Sequence, residues 1–193
     1  TGARAIVDVL TGTINPSGKL PVCVAYNAGQ VPVYYNHPSG SSWCQAESIG
    51  LEDYVDAPHR PRYVFGHGLS YTTFEYENLK IEETSAKEKE LHVSFDLENT
   101  GNVAGTEVAQ LYVKDYYGSM TRPLKELAGF KRVSLKPGER KRVTFCVRES
   151  QLAFLDRKMR WKVEKGDFKA EVGSSSEDIR LSGDFRISED TYV

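Results

Sequence analysis

A strict period-two alternation runs through the second half of this 193-residue chain and constrains its fold more than any other feature. Leu91, Val93, Phe95 and Leu97 point one way, while His92, Ser94, Asp96 and Glu98 point the other. Successive strand side chains leave opposite faces of a sheet, so such a run predicts a strand with one face buried. Ala109, Leu111 and Val113 repeat the pattern, as do Val143, Phe145 and Val147. Phe168, Ala170 and Val172 follow, then Ile179 and Leu181, with Phe185 and Ile187 beyond Gly183. Asn99-Thr100-Gly101-Asn102, Lys136-Pro137-Gly138-Glu139 and Glu164-Lys165-Gly166-Asp167 supply turn chemistry between the runs.

About seven short strands at this spacing predict a mainly β fold, a fibronectin type III-like (immunoglobulin-like) β-sandwich from Phe74 to Ile187. The Cys…Trp…Cys signature of immunoglobulin domains is missing, which favours the fibronectin-like form. Ahead of the sandwich the pattern changes. Ala3, Ile6, Val7 and Leu10 follow the i, i+3, i+4, i+7 spacing of a helix face, and Gly12 is placed to stop that helix. The turn Asn15-Pro16-Ser17-Gly18, a strand over Leu20 to Val24, the Gly29 turn and a second strand-like run over Val31 to Tyr35 follow. Helix–turn–strand order belongs to an α/β layer, and one helix with two short strands cannot make such a domain alone. The helix has a buried face and nothing before it, so the expectation is a chain cut from something longer. From His37 to Gly68 the sequence turns rich in Pro, Gly, Ser and aromatics, as in a functional loop or a linker.

A net charge of -2 offers no basic footprint for nucleic acid. No run of about 18 apolar residues is present to span a membrane. Cys23, Cys44 and Cys146 are odd in number, with no CxxC pair to signal zinc or redox chemistry. Cys146 lies in the apolar-looking stretch Val143 to Val147 and is expected to be a free buried thiol. No Asn-x-Ser/Thr sequon and no signal peptide are present, and no compartment follows from the sequence.

The motifs that could carry chemistry are few. Gly12 to Leu20 superficially resembles a phosphate-binding loop, but five residues separate the glycines and Leu20 follows Lys19 where Ser or Thr should hold magnesium. His37, His59, His67 and His92 show no metal-ligand spacing; His92 falls on a polar strand face, and the other three fall in the loop zone. Glu82, Glu83, Glu88 and Glu90 read as a solvated hairpin edge. Glu52, Asp53 and Asp56 lie among Trp43, Tyr54 and Tyr63, the acid-and-aromatic mixture of sugar sites, though sequence neighbours do not face each other across a substrate. Trp161 reads as a core or edge aromatic, with an exposed sugar-stacking platform as the rarer outcome.

Taken together, the motifs resemble the family 3 glycoside hydrolases, the β-glucosidase and β-xylosidase group. Asn15-Pro16-Ser17-Gly18-Lys19-Leu20-Pro21 and Val31-Pro32-Val33-Tyr34-Tyr35-Asn36-His37 are similar to the end of that family's α/β-sandwich domain. Tyr54-Val55-Asp56-Ala57-Pro58 and Tyr63 to Phe74 are similar to its entry into the last domain. Gly105 to Val113, Lys125 to Phe130 and Leu135 to Glu139 are similar to the fibronectin-like domain itself. Cys23-Val24-Ala25-Tyr26 departs from the family pattern after the strand.

The resemblance implies three parts: 1–36 as the C-terminal remnant of the α/β-sandwich domain, 37–73 as a connector loop, and 74–193 as the fibronectin type III-like domain. It also implies that the nucleophile lies in an absent N-terminal barrel and the acid/base carboxylate in an absent stretch of the α/β domain. The expectation is therefore no catalytic residue, no metal and no cofactor in this chain, no assigned substrate-binding residue, and no hydrolysis by the chain alone. Its partners would be the barrel and α/β domains of the same enzyme, and the whole enzyme would act on a β-linked glucoside or oligosaccharide. A stand-alone carbohydrate-binding or adhesion module is the competing expectation. The two differ at Ala3, Ile6, Val7 and Leu10, which a fragment exposes and an independent module covers.

Overall fold

The computed structural model describes residues 2–38, 58, 60–83 and 90–193. The expected sandwich is present and is built of antiparallel strands. One sheet orders β1 (Phe74–Glu83), β2 (Glu90–Asn99) and β5 (Arg140–Arg148) as β1-β2-β5. The other orders β4 (Glu126–Leu135), β3 (Gly105–Asp115), β8 (Gly166–Gly173) and β9 (Ile179–Ile187) as β4-β3-β8-β9. The turns at Asn99 and Pro137 are therefore not hairpins: each carries the chain from one sheet to the other. Between β5 and β8 the chain inserts β6 (Phe154–Leu155) and β7 (Trp161–Val163), which β10 (Thr191–Tyr192) joins in a small third sheet.

The alternating positions do what their period dictates. In β2 every second residue from Leu91 to Asn99 is buried. Val93, Phe95 and Leu97 meet Val143, Phe145 and Val147 of β5 in register, and Ala109, Leu111, Val113, Phe168, Ala170 and Val172 close the core from the other sheet. Tyr76, Phe95 and Phe145 form a stack with ring centroids 5.5 and 6.1 Å apart. Each fully buried side chain of this size contributes about 1.5–3 kcal/mol of hydrophobic stabilisation. Asn99 ends β2 without any exposure because its amide is fully used. Its Oδ1 accepts from the Thr72 hydroxyl at 2.6 Å and from the Gly101 N–H at 3.1 Å, while Nδ2 donates to the Val103 and Leu135 carbonyls.

The same period corrects the reading of Cys146. It shares a strand face with Thr144 while Val143, Phe145 and Val147 occupy the other, so the thiol is exposed on the outside of β5. An apolar-looking stretch is buried on one side only.

The N-terminal portion holds fewer regular elements than expected. Helix α1 (Gly2–Leu10) forms, and Gly12, at φ 77°, follows its end. Leu20 to Val24 and Val31 to Tyr35 are not strands. The first runs antiparallel to residues 62–67 through bonds between Leu20 and His67, Gly66 and Leu20, and Val24 and Tyr63, with one isolated bridge at Val24. The second contains a cis Val31–Pro32 bond. Pro32 has no N–H to give a ladder, and the chain here is held by side chains instead.

Candidate functional site

The strand β3 differs from every other strand in the sandwich, because its residues from Glu107 to Val113 are buried without interruption. Odd-numbered positions enter the core; Val108, Gln110 and Tyr112 are buried on the outer side, under residues 15–38 and 60–71. Those residues form a strap across the sheet, and the anchors beneath it are polar.

At one end of the strap, Asn15 donates to the Ala104 carbonyl and accepts from the Ser70 hydroxyl and the Tyr71 N–H. The Tyr71 hydroxyl donates to the Val9 carbonyl of α1 at 2.8 Å. Lys19 then reaches Glu107, with Nζ 3.0 Å from Oε1 and side chains only 14% and 7% exposed. At the centre, Gln110 Nε2 donates to the Ser174 carbonyl at 2.7 Å and to the Gly66 carbonyl at 3.3 Å, while its Oε1 accepts from the Tyr112 hydroxyl. Gly66 takes φ 79°, and a Cβ there would stand 2.1 Å from Gln110 Oε1. Only glycine serves both requirements. Tyr35 stacks on Phe65 at 4.4 Å and meets Tyr112 edge-on at 5.7 Å, and its hydroxyl accepts from the Leu127 N–H. At the far end the His37 carbonyl accepts from the Leu124 N–H, and Pro38 bridges to Pro123.

Burial pushes the Tyr112 phenol well above its usual range, and the nearby Tyr35 and Cys23 add to the shift. Tyr35 and Cys23 are likewise raised by loss of solvent, against partial relief from backbone hydrogen bonds. These groups are thus held neutral, as hydrogen-bond donors and packing surface rather than as nucleophiles. The arrangement positions one segment on another.

Of the residues singled out by the sequence, His37 is buried, with Nδ1 3.2 Å from the Pro38 carbonyl. His67 stacks on Tyr63 in the strap, and His92 stands 3.6 Å from Glu90 on the outer face of β2. Trp161 is 54% exposed on the small sheet. Glu82 pairs in register with His92. Trp43, Cys44, Glu52, Asp53, Tyr54, Asp56, His59 and Glu88 lie outside the described residues. Among the described residues, no cluster of three or more His, Cys, Asp or Glu is placed to hold a metal, and no helix is long and apolar enough to cross a membrane. The sequence reading missed Lys19, Glu107, Gln110 and Tyr112. The signal was present in the unbroken Val108-Ala109-Gln110-Leu111-Tyr112-Val113 run, since a strand covered on both faces shows no alternation.

Beyond these anchors, the strap and α1 present apolar side chains to solvent: Ile6, Val7 and Leu10 at 61%, 54% and 75%, with Val22, Val31, Leu69 and Tyr71 also half exposed or more. Two family models match this chain. Residues 1–71 match the glycosyl hydrolase family 3 C-terminal domain, and residues 107–176 match the fibronectin type III-like domain. A periplasmic beta-glucosidase of Salmonella typhimurium is 38% identical over 189 residues, covering 96% of this chain and 25% of that protein. A putative beta-xylosidase of Formosa agariphila is 39% identical over 93% of this chain and 23% of its own length. The crystal structure of a beta-glucosidase from Listeria innocua in complex with glucose superposes with a TM-score of 0.87 at 35% identity, over 96% of this chain and 26% of that one. The chain therefore spans about a quarter of the length of the relatives it matches. With α1 and the strap matching one model and the sandwich the other, the chain belongs to the family 3 glycoside hydrolases and corresponds to their C-terminal portion.

Proposed function

We propose that this chain is the non-catalytic C-terminal portion of a β-glycosidase whose whole form releases terminal β-D-glucosyl or related residues. Its work is to pack against and stabilise the barrel and α/β domains that hold the two carboxylates of glycoside hydrolysis. On this reading 1–36 closes the α/β-sandwich domain, 37–73 connects, and 74–193 is the supporting domain.

The observation that carries the reading is the face formed by Ala3, Ile6, Val7 and Leu10, which is exposed. A helix with one apolar stripe is stable in water only when something covers that stripe. An independent binding module would cover it from within; here α1 has no buried residue. The strap supports the same reading, since its buried anchors fix the helix to the sandwich through Tyr71 and Asn15.

The test compares the purified chain with the same chain joined to the preceding portion of a relative such as the Salmonella enzyme, using an aryl β-glucoside. The joined protein should turn over the substrate and the chain alone should not. Turnover by the chain alone, free of contaminating glycosidase, sinks the proposal.

A further inference from the structure

Tyr117 is 88% exposed, the most exposed large aromatic among the described residues, yet it sits on a loop held from many sides. That loop, residues 116–124, joins β3 to β4. The Tyr116 N–H donates to the Asp167 carbonyl, and its hydroxyl donates to Asp184 at 3.0 Å. The Tyr117 N–H donates to Asp115 Oδ1 at 3.1 Å, and the Ser119 N–H to Glu164 Oε2 at 2.7 Å. A mobile tip would account for an exposed ring without function. A pinned one leaves the ring presented.

The loop borders an open cavity of about 490 Å³, lined in part by Tyr116, Tyr117, Asp115 and Arg122. Asp115 and Arg122 form its polar floor, with side chains only 6% and 12% exposed. Arg122 Nε stands 3.7 Å from Asp115 Oδ2, too far for a hydrogen bond, and Nε is buried without a hydrogen-bond partner. The guanidinium cannot swing in to close the gap. Its Nη2 is engaged by Glu126 at 3.2 Å and by the Leu152 carbonyl, and its plane lies 4.7 Å over the Phe154 ring. Gly118 crosses directly above the pair: a Cβ there would meet Arg122 Cγ at 2.8 Å and Asp115 Oδ2 at 3.2 Å.

A buried donor facing a buried acceptor across such a gap is completed by a group that accepts from one and donates to the other. A hydroxyl does both. A cation would be repelled by Arg122 and an anion by Asp115, so the floor favours a neutral polyol. The exposed Tyr117 ring adds a flat apolar surface, which suits the C–H face of a sugar ring.

We propose that the 116–124 loop forms a binding site for a neutral pyranose, with Asp115 and Arg122 engaging adjacent hydroxyls and Tyr117 covering the ring face. Preferring a pyranose among polyols rests on the glycosidase reading above. The site lies on the fibronectin-like sandwich, and it would tether substrate or product glycan without chemistry.

The experiment is an amide-resolved NMR titration of the 193-residue chain with methyl β-D-glucoside, and with glycerol as the hydroxyl-only control. Saturable shifts confined to Tyr117–Arg122 are expected, with a dissociation constant on the order of 1–10 mM. Tyr117→Ala should weaken binding about fivefold, the size of one lost ring contact, and should leave the other resonances in place. Arg122→Lys, which removes the Nε–H and keeps the charge, should abolish saturation. Absence of saturable shifts, equal binding of glycerol, or unchanged binding in Tyr117→Ala would each overturn the proposal. None of these results bears on hydrolysis by the joined enzyme, which is read separately with the aryl glucoside.

Discussion

The two outer faces of the sandwich solve the same problem in opposite ways. On the β1-β2-β5 sheet the outward side chains are charged and paired across strands: Glu98 and Glu77 with Arg140, Asp96 with Arg142, and Glu90 with Arg148. Arg142 also reaches Ser94 and the Asn78 carbonyl, where Asn78, at φ 53°, bulges β1 toward Asp96. Asp96 is held below the usual carboxylate range by the Asn78 amide first and by Arg142 second. Every partner here is half exposed, so each pair contributes little, about 0–1 kcal/mol. The face is finished against water and discourages pairing with other chains.

On the β4-β3-β8-β9 sheet the outward residues of β3 are Val108, Gln110 and Tyr112, and the strap covers them. The interactions there are few, buried and non-local, linking residues 44 to 92 positions apart. Removing one member of such a set strands its partner away from solvent, where an unmet polar group costs far more than a lost surface pair. The difference teaches that the strap depends on the sandwich for its shape, because it makes almost no regular ladder of its own.

The largest expected effect breaks that dependence. Lys19→Met leaves the Glu107 carboxylate buried and unpaired, and should cost about 3–5 kcal/mol by denaturant unfolding. Amide exchange should rise through residues 15–24 and 62–71 more than in β2 and β5. A cost no greater than that of an outer-face pair would erase the distinction between the two faces.

Gly66→Ala tests the close approach of strap and sheet. It places a Cβ against Gln110 at a left-handed φ, so a loss of about 1–3 kcal/mol is expected, read as a drop in melting temperature. A neutral result would mean that the strap moves aside freely at its centre. Arg142→Ala on the opposite face should cost less than about 1 kcal/mol. Its effect should shrink further in high salt, because exposed charges are screened. A cost above that of Gly66→Ala would show that the ladder, and not the strap, carries the sandwich.

The sequence showed the strands because a period of two needs no knowledge of neighbours: Val93, Phe95 and Leu97 mark an inner face wherever the partner lies. It showed α1 for the same reason, and Asn15 to Pro21 through its likeness to a known family. It did not show that Leu20 to Val24 and Val31 to Tyr35 fail to form strands, because that depends on whether a partner strand is alongside. Cys146 was misplaced because the stretch was read as uniformly apolar, although its own alternation puts the thiol outside.

What the sequence determined by itself is the mainly β architecture and the apolar stripe of α1, both written in local periodicity. Only the tertiary structure decided that β3 is covered on both sides, that Lys19 meets Glu107 across 88 residues of chain, and that Asp115 and Arg122 face each other beneath Tyr117. Contacts of that kind are set by how the sheets stack and where the strap crosses, and no spacing within one segment encodes them.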